Sequence, residues 1–339
     1  MNRRKISAVW IYLFLSWGAL PATAGQPGYE FLRTHVGARP AALGGAFVAV
    51  TGDVHSVYYN PAGLASLGES GPGNRFLISS AKLHTSGSNQ QITFSYLNHF
   101  LDFQSGFCAY ARSLGKAGTI AGAFHYLDYG QFDRTDELGN KQGTFGAGSF
   151  LMQVGYGFEL SKNFSVGASV KYIRGKIAQY SSSALAADFG LLYRIPSQEL
   201  NVGFAVLHSG KVLDPYVKTA DPLPLSYRLG LSKRLAHLPL LLVMEGYLYR
   251  GENAQFILGG EFTLTPYWFL RISYNSIGRE QKIGQMGDRY AGLSVGTGVS
   301  LDKSLAFGNM FWQKIDLDYA VTSAGHIGML NRFSVRFEF

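Results

Sequence analysis

From residue 90 onward, apolar and polar positions alternate in short runs. Over 164–172, Phe164, Val166, Ala168, Val170 and Tyr172 share one parity, and Ser165, Gly167, Ser169 and Lys171 share the other. Leu225, Tyr227, Leu229 and Leu231 oppose Ser226, Arg228, Gly230 and Ser232 in the same way. Ile315, Leu317, Tyr319 and Val321 oppose Lys314, Asp316 and Asp318, and at the end of the chain Phe333, Val335, Phe337 and Phe339 oppose Arg332, Ser334, Arg336 and Glu338. A period of two marks a strand with one apolar and one polar face. The pattern predicts strands over 90–99, 103–114, 118–130, 148–160, 164–178, 182–195, 201–210, 224–235, 238–250, 254–265, 268–278, 290–301, 310–323 and 331–339, with a further candidate at 75–83.

The links between these strands alternate in length. With both termini placed in the periplasm, the periplasmic links are 115–117, 161–163, 196–200, 236–237, 266–267 and 302–309, and all but the last are very short. The long links 131–147, 211–223 and 279–289 fall on the other side. Bacterial outer-membrane barrels show this asymmetry. The fold predicted is therefore all-β, a 14-stranded antiparallel transmembrane barrel. A soluble barrel would show the same alternation, but strand lengths near the roughly 9–11 residues that a membrane strand needs favour the membrane, as does the terminal aromatic Phe339. A lipid-facing base costs about 2–4 kcal/mol at mid-membrane. Lys171, Arg228, Arg271, Lys314, Asp316, Asp318, Arg336 and Glu338 should then face a polar lumen.

The first ninety residues read differently. Arg3, Arg4 and Lys5, a mostly apolar stretch from Ile6 to Leu20, and Ala22-Thr23-Ala24 have the layout of a cleavable export signal over 1–24. Its removal takes away three bases and no acid, so the net charge falls from +8 to +5. That mild, scattered charge argues against nucleic-acid binding. Residues 25–89 are expected to fill the lumen, leaving 90–339 as the barrel. Within them 37–50 is rich in small residues and carries Gly44-Gly45, and Asn60-Pro61 reads as an N-cap followed by a first-turn proline. The polar parity of 290–301 is Gly292, Ser294, Gly296, Gly298 and Ser300, almost without side chains, so 37–50 is a candidate to lie against that wall.

Candidate chemistry is sparse. Gly44-Gly45 lacks the Gly-Lys-Ser/Thr of a phosphate loop. Cys108 is the single cysteine and reads as a packed strand residue. His35, Asp53, His55 and Ser56 could be assembled into a triad only by selection, and Asp128, Asp133, Asp136 and Glu137 lack the spacing of a calcium loop. No catalytic residue, metal or cofactor is expected.

Two stretches carry a family resemblance. The run from Gly37 through Asp53 to Asn60-Pro61-Ala62-Gly63-Leu64 resembles the N-terminal signature of the PorV/PorQ family of outer-membrane proteins and, more loosely, of FadL-type barrels. Tyr129-Gly130-Gln131-Phe132-Asp133-Arg134-Thr135-Asp136-Glu137-Leu138-Gly139-Asn140 is similar to PorQ-type members, which belong to the type IX secretion system. The resemblance implies a FadL-like barrel in the outer membrane of a Gram-negative bacterium, acting as a non-enzymatic scaffold for the machinery that attaches secreted cargo to the cell surface. Its implied partners are PorU-like and PorZ-like surface proteins, together with outer-membrane lipids and lipopolysaccharide. The expected docking residues are Phe132, Arg134, Asp136, Tyr216 and Lys218 on the outer loops, with Asn60, Pro61, Gly44 and Gly45 in the luminal segment. The alternative is a FadL-like transporter of hydrophobic compounds, which needs an apolar luminal site. An open diffusion porin is a third reading, opposed by a filled lumen.

Overall fold

The computed structural model describes residues 29–68, 88–98, 103–279, 289–302, 312–325 and 328–339. The export signal over 1–24, the candidate strand 75–83 and most of the links 279–289 and 302–309 lie outside the described residues. Fourteen antiparallel strands form one closed barrel in which each strand pairs with its sequence neighbours and the last returns to the first. They are β1 (Gln90–Asn98), β2 (Gln104–Ser113), β3 (Thr119–Thr135), β4 (Lys141–Ser161), β5 (Phe164–Ile177), β6 (Tyr180–Ile195) and β7 (Leu200–Asp214). There follow β8 (Ser226–Arg234), β9 (Leu240–Tyr249), β10 (Gln255–Thr265), β11 (Trp268–Asn275), β12 (Leu293–Asp302), β13 (Lys314–Ser323) and β14 (Met329–Glu338). Closure runs from Gln91 opposite Glu338 to Asn98 opposite Asn331 without a break. In hydrocarbon no water can satisfy an open edge, so this closure is what lets strands span a bilayer.

Sequence and structure part company above the membrane. The link expected over 131–147 is mostly strand, because β3 and β4 keep pairing through Phe132 opposite Phe145 and Lys141 opposite Thr135. β7 likewise runs on to Asp214, so the links shrink to 136–140 and 215–225. The cause is physical: outside the bilayer both sheet faces meet water, and the hydrophobic period that marks a strand disappears. β3–β7 therefore stand taller than the eight- to eleven-residue strands around the rest of the barrel.

The apolar parity points outward. Phe94, Val154, Val170, Phe189, Leu258 and Ile272 are exposed, whereas Lys171, Arg228, Arg271, Asp316, Asp318 and Arg336 are buried on the inner side. An even-numbered closed barrel with an apolar outer belt is the architecture of Gram-negative outer-membrane proteins, and that is where this fold belongs. Replacing outward Val170 by Arg is expected to lower the stability of the vesicle-embedded barrel by about 2–4 kcal/mol, read from its urea unfolding midpoint.

Candidate functional site: the lumen

Residues 29–67 lie inside the barrel. They make a 3-10 turn (Glu30–Arg33), a short helix (Ala38–Ala42), a second (Ser56–Tyr59) and a 3-10 turn (Pro61–Ser66). Asn60 caps the last of these by accepting from the Ala62 N–H at 3.1 Å, with Pro61 at its first position. The Asn60 amide also donates to the carbonyls of Val48 at 2.6 Å and of Leu191 on β6 at 3.2 Å, so one side chain caps a turn and fastens it to the wall. Gly44 and Gly45 have φ of +68° and +89° and turn the chain after the first helix. The Gly44 carbonyl accepts from Asn275 at 3.2 Å, and the Ala42 carbonyl accepts from Ser273 at 2.9 Å. Ala42 sits where a side chain on Gly296 of β12 would have to go, so the small-residue wall does seat this helix. Gly167 and Gly203 let Pro61 and Val48 approach the wall in the same way.

The periplasmic half of the lumen is a network of ion pairs shared between segment and wall. Arg39 makes a bidentate pair with Glu261 at 2.8 and 2.9 Å and reaches Asp53 at 2.8 Å. Asp53 also meets Arg336, which is paired in turn with Asp316. Arg271 joins Glu261 at 2.7 Å to Asp318 at 2.6 Å. The Glu245 carboxylate pairs with Arg228 at 2.9 Å and accepts the Phe47 and Val48 N–H groups at 3.0 and 3.1 Å. At mid-lumen Asp188 bonds Lys171 at 2.7 Å and accepts the His208 N–H at 2.9 Å, at a bulge where Leu207 and His208 together face Asp188. Gln153 links this cluster to the second helix through the Val57 carbonyl at 2.6 Å. Asp53 and His55 do meet, Oδ1 to Nδ1 at 2.7 Å, but inside this salt network.

Below the network, at the periplasmic end, opens a cavity of 490 Å³ lined by Arg39, Arg194, Arg234, Glu261, Lys314 and Glu338 among others. The outer half is different. Leu127, Leu151, Ile173, Ala184 and Ala186 point inward from β3–β6 and pack with Phe31, Leu32 and Leu223. A uniformly polar lumen is therefore wrong. Ionic side chains occupy the half where Arg39 and Asp53 can neutralise them, and apolar ones the half covered by Phe31 and Leu32. The parity pattern missed this because Leu127, Leu151 and Ile173 break the alternation on strands that otherwise keep it.

The outer residues singled out in the sequence do not converge. Phe132 lies on β3 and stacks on Phe145 at 5.6 Å, and Arg134 follows it on the same strand. The Asp136 carboxylate is spent on its own turn, accepting from Leu138 at 3.0 Å and Asn140 at 2.8 Å, and these bonds, led by those from Asn140, hold it below its usual value. Tyr216 leans inward over Gly175 of β5, and burial pushes its hydroxyl up to about 12. Lys218 is exposed. Tyr216 bonds the Ser149 hydroxyl on β4, but among the described residues no hydrogen bond or ion pair joins Phe132, Arg134 or Asp136 to Tyr216 or Lys218.

Solved structures with this architecture exist. The Pseudomonas putida toluene transporter TodX superposes with a TM-score of 0.52 at 12% identity, covering 94% of this chain and 98% of that one. The TodX deltaS2S3 mutant, a monoaromatic hydrocarbon channel, gives 0.55 at 12% identity over 89% and 97%. The fold is FadL-like. At such identity the likeness speaks for the fold alone. No protein-family model matches the sequence, and no curated protein matches it.

Two predictions follow from the ion network of this FadL-like barrel. Arg39→Ala leaves Glu261 and Asp53 each short of a partner and weakens seating of the segment by about 3 kcal/mol. Residues 29–68 should then become open to protease while the barrel keeps its heat-modifiable migration on gels. The second concerns pH. Burial, with Arg332 and Arg228 nearby, pushes the His35 imidazole down from 6.5 to about 3. Burial alone would raise the Asp53 carboxyl, yet Arg336, His55 and Arg39 hold it well below 3.8. Both folded values are depressed, so both groups bind more protons when unfolded. Stability should fall as pH drops from 6.5 toward 3 through His35, and further below 3.8 through Asp53. The urea midpoint measured against pH should show this loss, and His35→Gln should shrink its upper part.

Proposed function

We propose that this barrel carries small hydrophobic molecules across the outer membrane. The observation that carries the reading is the apolar inner wall of the outer half, where Leu127, Leu151 and Ile173 face a space that barrels ordinarily line with polar groups. Tyr129 packs beside this wall, and Phe132 and Phe145 stack above it on the β3–β4 extension, so an apolar solute meets compatible surface from the mouth inward. Phe31 and Leu32 occupy the wall, and passage requires their displacement. The charged periplasmic cavity is the exit, where affinity for an apolar solute is low. The names borne by TodX, a toluene transporter and a monoaromatic hydrocarbon channel, agree with this substrate class.

The test is uptake of radiolabelled toluene by cells producing the barrel, against Leu151→Asn and Ile173→Asn. Each change removes apolar contact worth about 1.5 kcal/mol or more, so uptake should fall roughly tenfold. Unchanged uptake in both, with the protein folded, would sink the proposal.

A second reading rests on the part of β3–β7 that stands above the bilayer. Phe132, Arg134 and Asp136 lie on the β3–β4 hairpin, and Tyr216 and Lys218 on the β7–β8 link. With the resemblance to the PorV/PorQ family, this surface is a docking face for PorU-like and PorZ-like proteins of type IX secretion. Arg134→Ala with Lys218→Ala should reduce their co-purification with the barrel, and full recovery would count against docking there.

A further inference from the structure

The outward face of β5 reads Phe164, Val166, Ala168, Val170, Tyr172 and then Arg174 and Lys176. Ten residues at about 3.3 Å each, tilted about 40°, rise about 25 Å, the height of the apolar band of an outer-membrane barrel. Arg174 therefore stands at the headgroup level of the outer leaflet. The girdle beside it is aromatic: Phe150, opposite Arg174, lies 6.3 Å from Tyr172 and 6.1 Å from Phe124. On β6 the outward series passes at the same height from Leu185 to Ser183 and Ser181, which stand opposite Arg174 and Lys176. On β7 the bulge at Leu207 and His208 resets the parity, and Lys211 comes opposite Leu185. Three cations from two strands thus share one outward patch, with two serine hydroxyls on the strand between them.

All three cations are exposed, and none has an ion-pair partner among the described residues. Two exposed acids lie near the patch: Asp214 at the end of β7 stands opposite Ser183 in the row of Arg174 but pairs with none of the three bases, and Asp128, in the row of Lys176 two strands away, accepts the Gly130 N–H at 2.9 Å. The patch occupies one arc: the described outer ends of β14 and β1 present Met329, Asn331 and Asn98 outward, none of them a base. Bases held at headgroup depth attract anionic lipid, and Arg can take a phosphate with two parallel bonds.

We propose that Arg174, Lys176 and Lys211, with the hydroxyls of Ser181 and Ser183, bind the phosphates of a phosphorylated glycolipid of the outer leaflet. The site faces away from the lumen, so it stands whether or not the transport reading does. The probe is bis-phosphorylated lipid A added to the detergent-purified full chain, with retention followed by native mass spectrometry. The triple variant Arg174→Ala, Lys176→Ala, Lys211→Ala should lose on the order of a hundredfold in affinity. Lipid A stripped of its phosphates should bind the unaltered chain as poorly as phosphorylated lipid A binds the variant. Lys211→Glu alone should give a smaller loss in the same direction. Lys233→Ala, at the periplasmic end, should change nothing. Equal retention by the triple variant, or equal binding of the dephosphorylated lipid, would overturn the assignment. Heat-modifiable migration confirms that each variant is folded, and lipid retention does not report on solute uptake, so the two proposals fail separately.

Discussion

An ionised side chain cannot sit on the lipid face of a strand without a cost of about 2–4 kcal/mol, and nearly everything else in this barrel follows from that. The charges of β8–β14 must turn inward, and once inside they must be neutralised away from bulk water. The wall achieves part of this alone through Arg271 with Asp318 and Arg228 with Glu245. The rest is completed from within, since Arg39 and Asp53 of the luminal segment stand between Glu261 on β10 and Arg336 on β14. The segment is thus a structural counterpart of the wall, held by charge on one side and by close backbone approach at Gly167, Gly203 and Gly296 on the others.

That division sets the character of the lumen by height. The periplasmic half is ionic and holds a cavity of 490 Å³. The outer half is apolar, and Phe31 and Leu32 cover it. Under the transport we propose, a hydrophobic solute gains contact in the outer half and loses it in the inner one, a gradient that favours release toward the periplasm. The same segment spans both zones, so displacing Phe31 and Leu32 at the top is mechanically connected to the Arg39 and Asp53 pairs below.

Much of this was legible in the residues. Alternation gave all the strands, and the lengths of the links placed them, because a strand between lipid and lumen has two unlike faces. The Asn60 cap and the seat beside Gly296 were legible because caps and missing side chains have local causes. The tops of β3, β4 and β7 were not, since water on both faces erases the period. Nor was the joining of Arg39 to Glu261, which lie 222 residues apart and meet only through barrel closure. The apolar patch formed by Leu127, Leu151 and Ile173 was hidden for a related reason: each is one exception on its own strand, and only lateral pairing makes them a surface.

The closing seam between β1 and β14 has a consequence for assembly. Phe339 donates its N–H to the Gln90 carbonyl at 3.0 Å, and its own carbonyl accepts from Ser88 at 2.8 Å, so the ring closes where the last strand of the barrel meets the first. The luminal segment precedes β1 in the chain, yet Asp316 and Arg336, on which it depends, lie on β13 and β14. It must wait unpaired while fourteen strands are made, and it must lie on the inner side of the sheet before the edges meet. Pairings between distant parts of a chain form slowly and leave apolar strands exposed meanwhile. In a barrel built this way the enclosure of the luminal segment is a long-range event, made only when the first and last strands meet.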